Sequence, residues 1–243
     1  MDIFLQQVIN GVTLGGVYAI VALGYTMVYG ILQLINLAHG QVVMIGAMVA
    51  FTVISSLAAA GMPPLAVLLL GTAAAIPVCM AIGYAMERLA YRPLRHAPRL
   101  AALITAIGVS IILQHLAMVV FSRNVLAFPQ IIRINTYAIG GASITSVQIA
   151  IIGVCVAMMG GLAFLVYKTR LGTAMRATAQ NPQVAGLMGI DINRVIAFTF
   201  VIGAALAAVA GVLYGTYYGV AQYTMGSLLG LKAFSAAVLG GIG

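Results

Sequence analysis

The side chains able to do chemistry in this chain of 243 residues are few and far apart. The carboxylates are Asp2, Glu87 and Asp191, the histidines His39, His96 and His115, the thiols Cys79 and Cys155, and the amines Lys168 and Lys232. General acid–base catalysis by carboxylates needs two of them close together. Glu87 and Asp191 instead neighbour basic residues at predicted loop edges, where charge balance is the default role, and Asp2 is terminal. The histidines stand in no HExxH or CxxC context, so no metal site is expected, and neither lysine sits in a GxxxxGK[ST] phosphate loop. No catalytic residue, cofactor or enzymatic activity is expected of the chain.

What does cluster is neutral. Residues 33–41 read QLINLAHGQ, placing Gln33, Asn36, His39 and Gln41 in a stretch from Ile3 to Met86 that has no Lys, Arg, Asp or Glu. Two roles fit. In a structural one, Asn36 caps the helix that follows and the other three satisfy backbone groups at a tight turn, since unpaired polar groups in lipid cost several kcal/mol. In a functional one, a helix broken at membrane depth lends freed backbone groups, together with Asn36 and His39, to a substrate path. Tyr18, Tyr25 and Tyr29 come just before, and offsets of 7 and 11 residues bring them within about 40° of one helix face. Such a hydroxyl stripe either lines a pore or packs against partner helices. Gln114 and His115 lie in a later apolar run, where they are functional candidates or hydrogen-bond to a neighbouring helix.

The elements that must position these residues follow from composition. With 63% hydrophobic and 6% charged residues, the chain reads as an integral membrane protein, because soluble domains need roughly a quarter of their residues charged and a spanning helix needs about 20 apolar ones. Spans are expected near 8–30, 41–60, 64–87, 100–121, 146–167 and 195–219, with a seventh apolar segment at 226–243. The fold class is therefore all-α, a polytopic transmembrane helical bundle. The net charge of +8 invites a nucleic-acid reading, but eight of the eleven basic residues fall in two loop clusters, Arg88 to Arg99 and Lys168 to Arg194. That is the positive-inside pattern, which places both clusters in the cytoplasm and the N-terminus outside. MDIFLQQ has no basic n-region, so no cleaved signal peptide is expected. Cys79 and Cys155 read as thiols buried in the membrane.

Three smaller patterns add detail. IIRINTYAIGGASIT (131–145) alternates on both sides of Gly140-Gly141, as a β-hairpin does, or forms an irregular lid at the outer surface. Gly203, Ala207, Gly211, Gly215 and Gly219 recur every four residues, a small-residue face for close helix packing or, alternatively, a pore-lining groove. Gly11 and Gly15 repeat that spacing once. Tyr214, Tyr217, Tyr218 and Tyr223 stand at the outer end of the sixth span as interfacial anchors in a protein without Trp.

GYTMVYGILQLINLAHGQVVMIGAM (24–48), MERLAYRPLR (86–95) with LITAIGVSIILQ (103–114), MRATAQNPQVAGLMGIDINRV (175–195) and GLKAFSAAVLGGIG (230–243) appear in that order. Together they resemble the permease subunits of branched-chain amino-acid ABC transporters, the LivH type. The resemblance runs from the first span to the last residue. It implies one permease domain over 1–243, a second permease subunit, two cytoplasmic ABC ATPase subunits that bind the ATP, a periplasmic amino-acid-binding protein, and surrounding membrane lipid. Family members continue past LGGIG, so the chain is expected to lack about two of about eight spans. The same pattern also serves urea and short amides; a self-sufficient channel or secondary carrier and a structural scaffold are readings from other classes.

The third block resembles the family's cytoplasmic coupling loop, and its residues fit that role. Asn181 caps and Pro182 starts a short helix, PQVAGLMG, which Gly189 closes. Val184, Leu187 and Met188 share one face, expected to contact the ATPase or, alternatively, to lie on lipid. Arg176, Ala177, Asn181, Val184, Ala185, Leu187, Met188 and Gly189 are the coupling residues so expected; Tyr18, Tyr25, Tyr29, Gln33, Asn36 and His39 are the expected substrate path.

Overall fold

A computed structural model describes residues 2–59, 61–95, 97–130, 135–139 and 141–241. His96, residues 131–134, Gly140 and the last two residues of the VLGGIG stretch lie outside the described residues. Nine helices are described: α1 (Asp2–Leu32), α2 (His39–Ala59), α3 (Pro64–Ala85), α4 (Arg99–Val120), α5 (Ser146–Lys168), α6 (Arg170–Gln180), α7 (Pro182–Leu187), α8 (Ile192–Tyr218) and α9 (Met225–Gly240). The strands are β1 (Leu126–Ala127), β2 (Thr136–Ile139), β3 (Ala142–Thr145) and β4 (Val220–Ala221). Six helical segments are long and apolar enough to cross a membrane: Ile3–Leu32, His39–Ala59, Pro64–Leu94, Leu100–Val120, Ser146–Lys168 and Ile192–Tyr218. The seventh apolar segment forms the shorter α9. The chain is thus a multi-pass helical membrane protein.

α8 is the centre of the bundle, buried over 72% of its apolar stretch, while α4 at the periphery is buried over only 11%. The glycine face explains how α8 gets there. Ala207 is fully buried, and a side chain on Gly211 would run into the Val43 carbonyl and lie 2.9 Å from the Ala47 nitrogen of α2. Gly215 gives its space to the Phe128 ring. Gly219 ends the row in the left-handed conformation (φ +68) as the C-cap of α8. Neighbours thus lie along the row, closest at Gly211 and Gly215. Gly11 and Gly15, by contrast, have nothing within 4 Å.

β2 and β3 form an antiparallel pair with Ile139 opposite Ala142, the hairpin of the two readings that the alternation allows. It is tied to the start of α1, since Ser143 N–H donates to Gln6 Oε1 at 2.8 Å and Gln148 Nε2 donates to Asn10 Oδ1 at 2.9 Å. Thr145 and Gln148 form a reciprocal capping box that starts α5 at the hairpin's edge.

The break between the first two spans lies inside the bundle. α1 stops at Leu32, and Gln33 takes the left-handed conformation (φ +53) with its N–H on Tyr29 O at 2.7 Å. Residues 33–38 are not helical, and α2 begins at His39. The His39 ring lies against Gly24, eight residues before the end of α1. At 1.5 Å per residue the connection therefore doubles back about 12 Å along α1 before α2 starts. A turn at the membrane surface would have needed no such return.

Candidate functional site

The doubled-back connection is held by buried polar side chains. Asn36 is 3% exposed, and its Oδ1 accepts from the Tyr91 hydroxyl at 2.8 Å. This corrects the expectation that Asn36 caps the following helix with its side chain: α2 starts three residues later, and only the Asn36 backbone carbonyl meets the His39 N–H, at 3.0 Å. Tyr91 can reach Asn36 because α3 does not stop at Ala85 but continues as a π-helical turn, Met86–Tyr91, and a short 3-10 turn, Arg92–Leu94. Wide turns of this kind recur at functional positions.

The same π-turn buries Glu87, at 1% exposure, where it pairs with Arg95. Arg95 Nη1 also donates to Asn193 Oδ1 of α8 at 2.6 Å. Burial pulls the Arg95 pKa below its usual value, and the Glu87 carboxylate opposes that. Charge balance is therefore the role of Glu87, as expected, but inside the protein. Asp191 balances Arg194 at 3.0 Å on the surface and caps α8 by accepting the Arg194 N–H at 3.1 Å.

His39 is 2% exposed and wedged between α1 and α8, with Gly24 on one side, Gly203 on the other and the Tyr25 ring 4.9 Å away. On the Gly24 side only glycine leaves room for the imidazole, because an added side-chain carbon would overlap its Nε2. Gly24→Ala is expected to destabilise the protein by about 1–3 kcal/mol, read as a lower unfolding temperature in detergent. His39→Ala placed in the same chain should recover most of that loss, and no recovery would show that the clash lies elsewhere.

A cavity of about 210 Å³ opens beside this joint, between α1, α4 and α9. Its polar lining is Tyr25, Ser110, Gln114 and Ser227, and its apolar lining includes Leu37, Ile107, Ile111 and Leu231. Gln41 stands behind it, 1% exposed, with Nε2 donating to Ser110 Oγ at 3.2 Å and Ser227 Oγ at 2.9 Å. Ser227 in turn donates to Gln114 Oε1 at 3.3 Å. Of the expected path residues only Tyr25 lines this cavity. Asn36 and His39 are packed into the joint, Gln33 is exposed, and Tyr29 is half-buried outside the lining. Tyr18 lies beside Tyr218 in the aromatic cluster at the end of α8, where the Tyr218 ring is 4.4 Å from that of Tyr214.

Ser110 and Ser227 were missed from sequence. An available signal was the spacing of four between Ser110 and Gln114, which puts both on one face of α4. Gln114 does bond a neighbouring helix, one of its two expected roles, whereas His115 is exposed and bonds Ile111 O of its own helix at 2.9 Å.

Between the fifth and sixth spans, α6 and α7 form a compact lever. Thr169 caps α6, and Gly172 fits where a side chain would strike the Val166 and Leu165 carbonyls. Arg176 donates to Val166 O and lies 5.7 Å from the Tyr167 ring centroid, so it ties the lever to α5 and does not stand free. Ala177 is half-buried beside it. Asn181 caps α7 by accepting the Val184 N–H at 3.1 Å. Gly189 closes the helix at φ +88, and the Ile190 N–H returns to Ala185 O at 3.1 Å. Leu187 and Met188 are 88% and 80% exposed, and Val184 is exposed beside them, while Ala185 is buried. Ala185 thus faces inward, where only a small residue lets so short a helix close on its neighbours.

Spans packed around a central glycine-faced helix, a neutral polar cavity at a helix break and an exposed apolar lever define a membrane transport subunit. Over residues 7–243 the chain matches the family described as branched-chain amino acid transport system, permease component. The chain belongs to that family, as a permease component and not itself an enzyme. It is 48% identical over 245 residues to the high-affinity branched-chain amino acid transport system permease protein BraD of Pseudomonas aeruginosa, covering 99% of this chain and 80% of that one. It is likewise 48% identical over 246 residues to LivH of Escherichia coli K12, with the same coverage. A probable LivH of Methanocaldococcus jannaschii is 27% identical over 255 residues, covering 99% of this chain and 76% of the relative. No solved structure matches.

Proposed function

We propose that the chain is the permease subunit of an ATP-driven, binding-protein-dependent importer of leucine, isoleucine and valine in a bacterial inner membrane. The 48% identity to BraD and LivH across 99% of the chain carries this reading. A second permease completes the pathway, two cytoplasmic ATPases bind the ATP, and a periplasmic binding protein delivers the amino acid. The basic loop clusters favour a cytoplasmic lever and a periplasmic N-terminus. Residues 1–243 act as one permease domain. Tyr25 lies on the path, Asn36 and His39 hold the joint beside it, and Tyr18, Tyr29 and Gln33 flank it.

The test is uptake of radiolabelled leucine and of urea by proteoliposomes holding the permeases and ATPases, with binding protein added. ATP-dependent leucine uptake is expected; ATP-dependent urea uptake alone would move the protein to the amide branch, and uptake without ATP would make it a carrier.

The exposed face of α7 is the ATPase contact. Replacing Leu187 and Met188 together by aspartate is expected to lower uptake at least tenfold, about 1.4 kcal/mol of coupling, with membrane insertion unchanged. Wild-type uptake by an inserted variant would leave that face to lipid. Ala185 is the wrong residue for this test, since a larger side chain there disturbs the helix itself.

A further inference from the structure

Two helices begin in the middle of the bundle, and their first turns meet. α2 starts against the interiors of α1 and α8, and α9 crosses it where a side-chain carbon on Gly230 would lie 3.0 Å from Gly40 Cα and 2.9 Å from the Tyr25 hydroxyl. The cavity opens at this crossing. Its fourth-span wall comes from Ser110 and Gln114, 11 and 15 residues along α4 from Arg99. They stand at the mid-depth of that span, where polar groups in lipid are expensive and mark function.

We propose that this cavity holds a neutral amino acid with a branched aliphatic side chain in transit, a proposal that rests on the permease reading above.

The chemistry of the lining matches each part of such a molecule. Tyr25 brings its hydroxyl to the lining, and Ser110 accepts from Gln41, so both hydroxyls have a proton to donate to a carboxylate. The two helix N-termini add partial positive charge of the right sign. Gln114 Oε1 already accepts from Ser227 and has a second lone pair for an ammonium. Leu37, Ile107, Ile111 and Leu231 supply apolar wall for the side chain. Among the described residues no charged side chain is in the lining, so a cationic or acidic side chain would go uncompensated. The size, about 210 Å³, suits a small solute. Ile107, Ile111 and Leu231 are 43%, 51% and 58% exposed at the rim, which leaves the cavity open to entry.

The experiment uses the full transport complex in proteoliposomes, with leucine and alanine as the probes. Leu231→Phe narrows the apolar wall and is expected to lower the leucine-to-alanine uptake ratio at least tenfold; Gln114→Leu should lower uptake of both at least tenfold while ATP hydrolysis stimulated by binding protein persists. In a Cys79→Ala, Cys155→Ala background, Ser227→Cys should react with a polar thiosulfonate at least fivefold more slowly when leucine is present. An unchanged uptake ratio, or a labelling rate indifferent to leucine, overturns the site. Labelling only by a lipid-soluble maleimide would give the cavity to lipid and overturn it too. If the unmodified complex takes up no leucine, the function falls and takes the site with it; normal wild-type uptake with unaltered variants removes the site alone.

Discussion

Replacing Gly211 with leucine is expected to prevent the bundle from closing and to leave little folded permease in the membrane. Any side chain at this position meets the backbone of α2, at the Val43 carbonyl and the Ala47 nitrogen. Backbone cannot rotate away as a side chain can, so relief would require moving one helix off the other. α8 packs on α1, α2 and α3, and that movement would open contacts along its whole length. Overpacking by a few methylenes in a side-chain environment costs about 1–3 kcal/mol; here the loss should be about 4 kcal/mol or more, in the range reserved for gross disruption. Thermal unfolding of the purified subunit in detergent measures it. Gly153, whose position has nothing within 4 Å, is the control: Gly153→Ala should leave the subunit's unfolding temperature the same or slightly higher. A Gly211→Leu protein as stable as wild type would mean that α2 and α8 can separate freely.

Arg95→Ala should have the next largest effect. It strips the partner from a carboxylate that is 1% exposed and also removes the link from the end of α3 to Asn193 on α8. A buried charge left alone costs about 3–5 kcal/mol, and the 14% exposure of the Arg95 side chain places this case near the lower end, about 3 kcal/mol. Arg95→Lys should recover little, since a single ammonium cannot bridge Glu87 and Asn193 as the guanidinium fork does. Removing both charges, in a Glu87→Gln, Arg95→Met protein, should be milder than Arg95→Ala alone. Unfolding temperatures of the three variants decide the matter; a double variant worse than the single one would show that the pair acts through something other than charge.

Local and periodic features are legible in the sequence. Apolar runs mark the six spans, the alternation around Gly140-Gly141 offers the hairpin beside an irregular lid, and Asn181-Pro182 with Gly189 marks α7 nearly to the residue. Each of these is written within a few positions of itself. The cavity is not: Gln41, Ser110 and Ser227 come from three separate helices, and the spacing of four between Ser110 and Gln114 marks one face of α4 without reaching the other two. The cap, one of two roles the sequence allows Asn36, fails for the same reason, because the hydroxyl that claims its side chain belongs to Tyr91, 55 residues on. Ala185 enters the expected coupling residues through the resemblance and not through spacing, and only the fold of α7 onto its neighbours buries it.

The hydrogen bond from Gln41 to Ser227 joins residues 186 positions apart. At roughly 5–20 residues per second of synthesis, the carboxamide of Gln41 therefore exists for roughly 10–40 s before its partner on α9 has even been made. During that interval α1 and α2 carry an unmet polar group toward the lipid, and Ser110, 69 residues on, arrives as the first relief. α9, the latest in chain order of the described helices, is thus the one that completes the wall of the cavity, so a chain stalled before Met225 would hold its early spans in place around a site with one side missing.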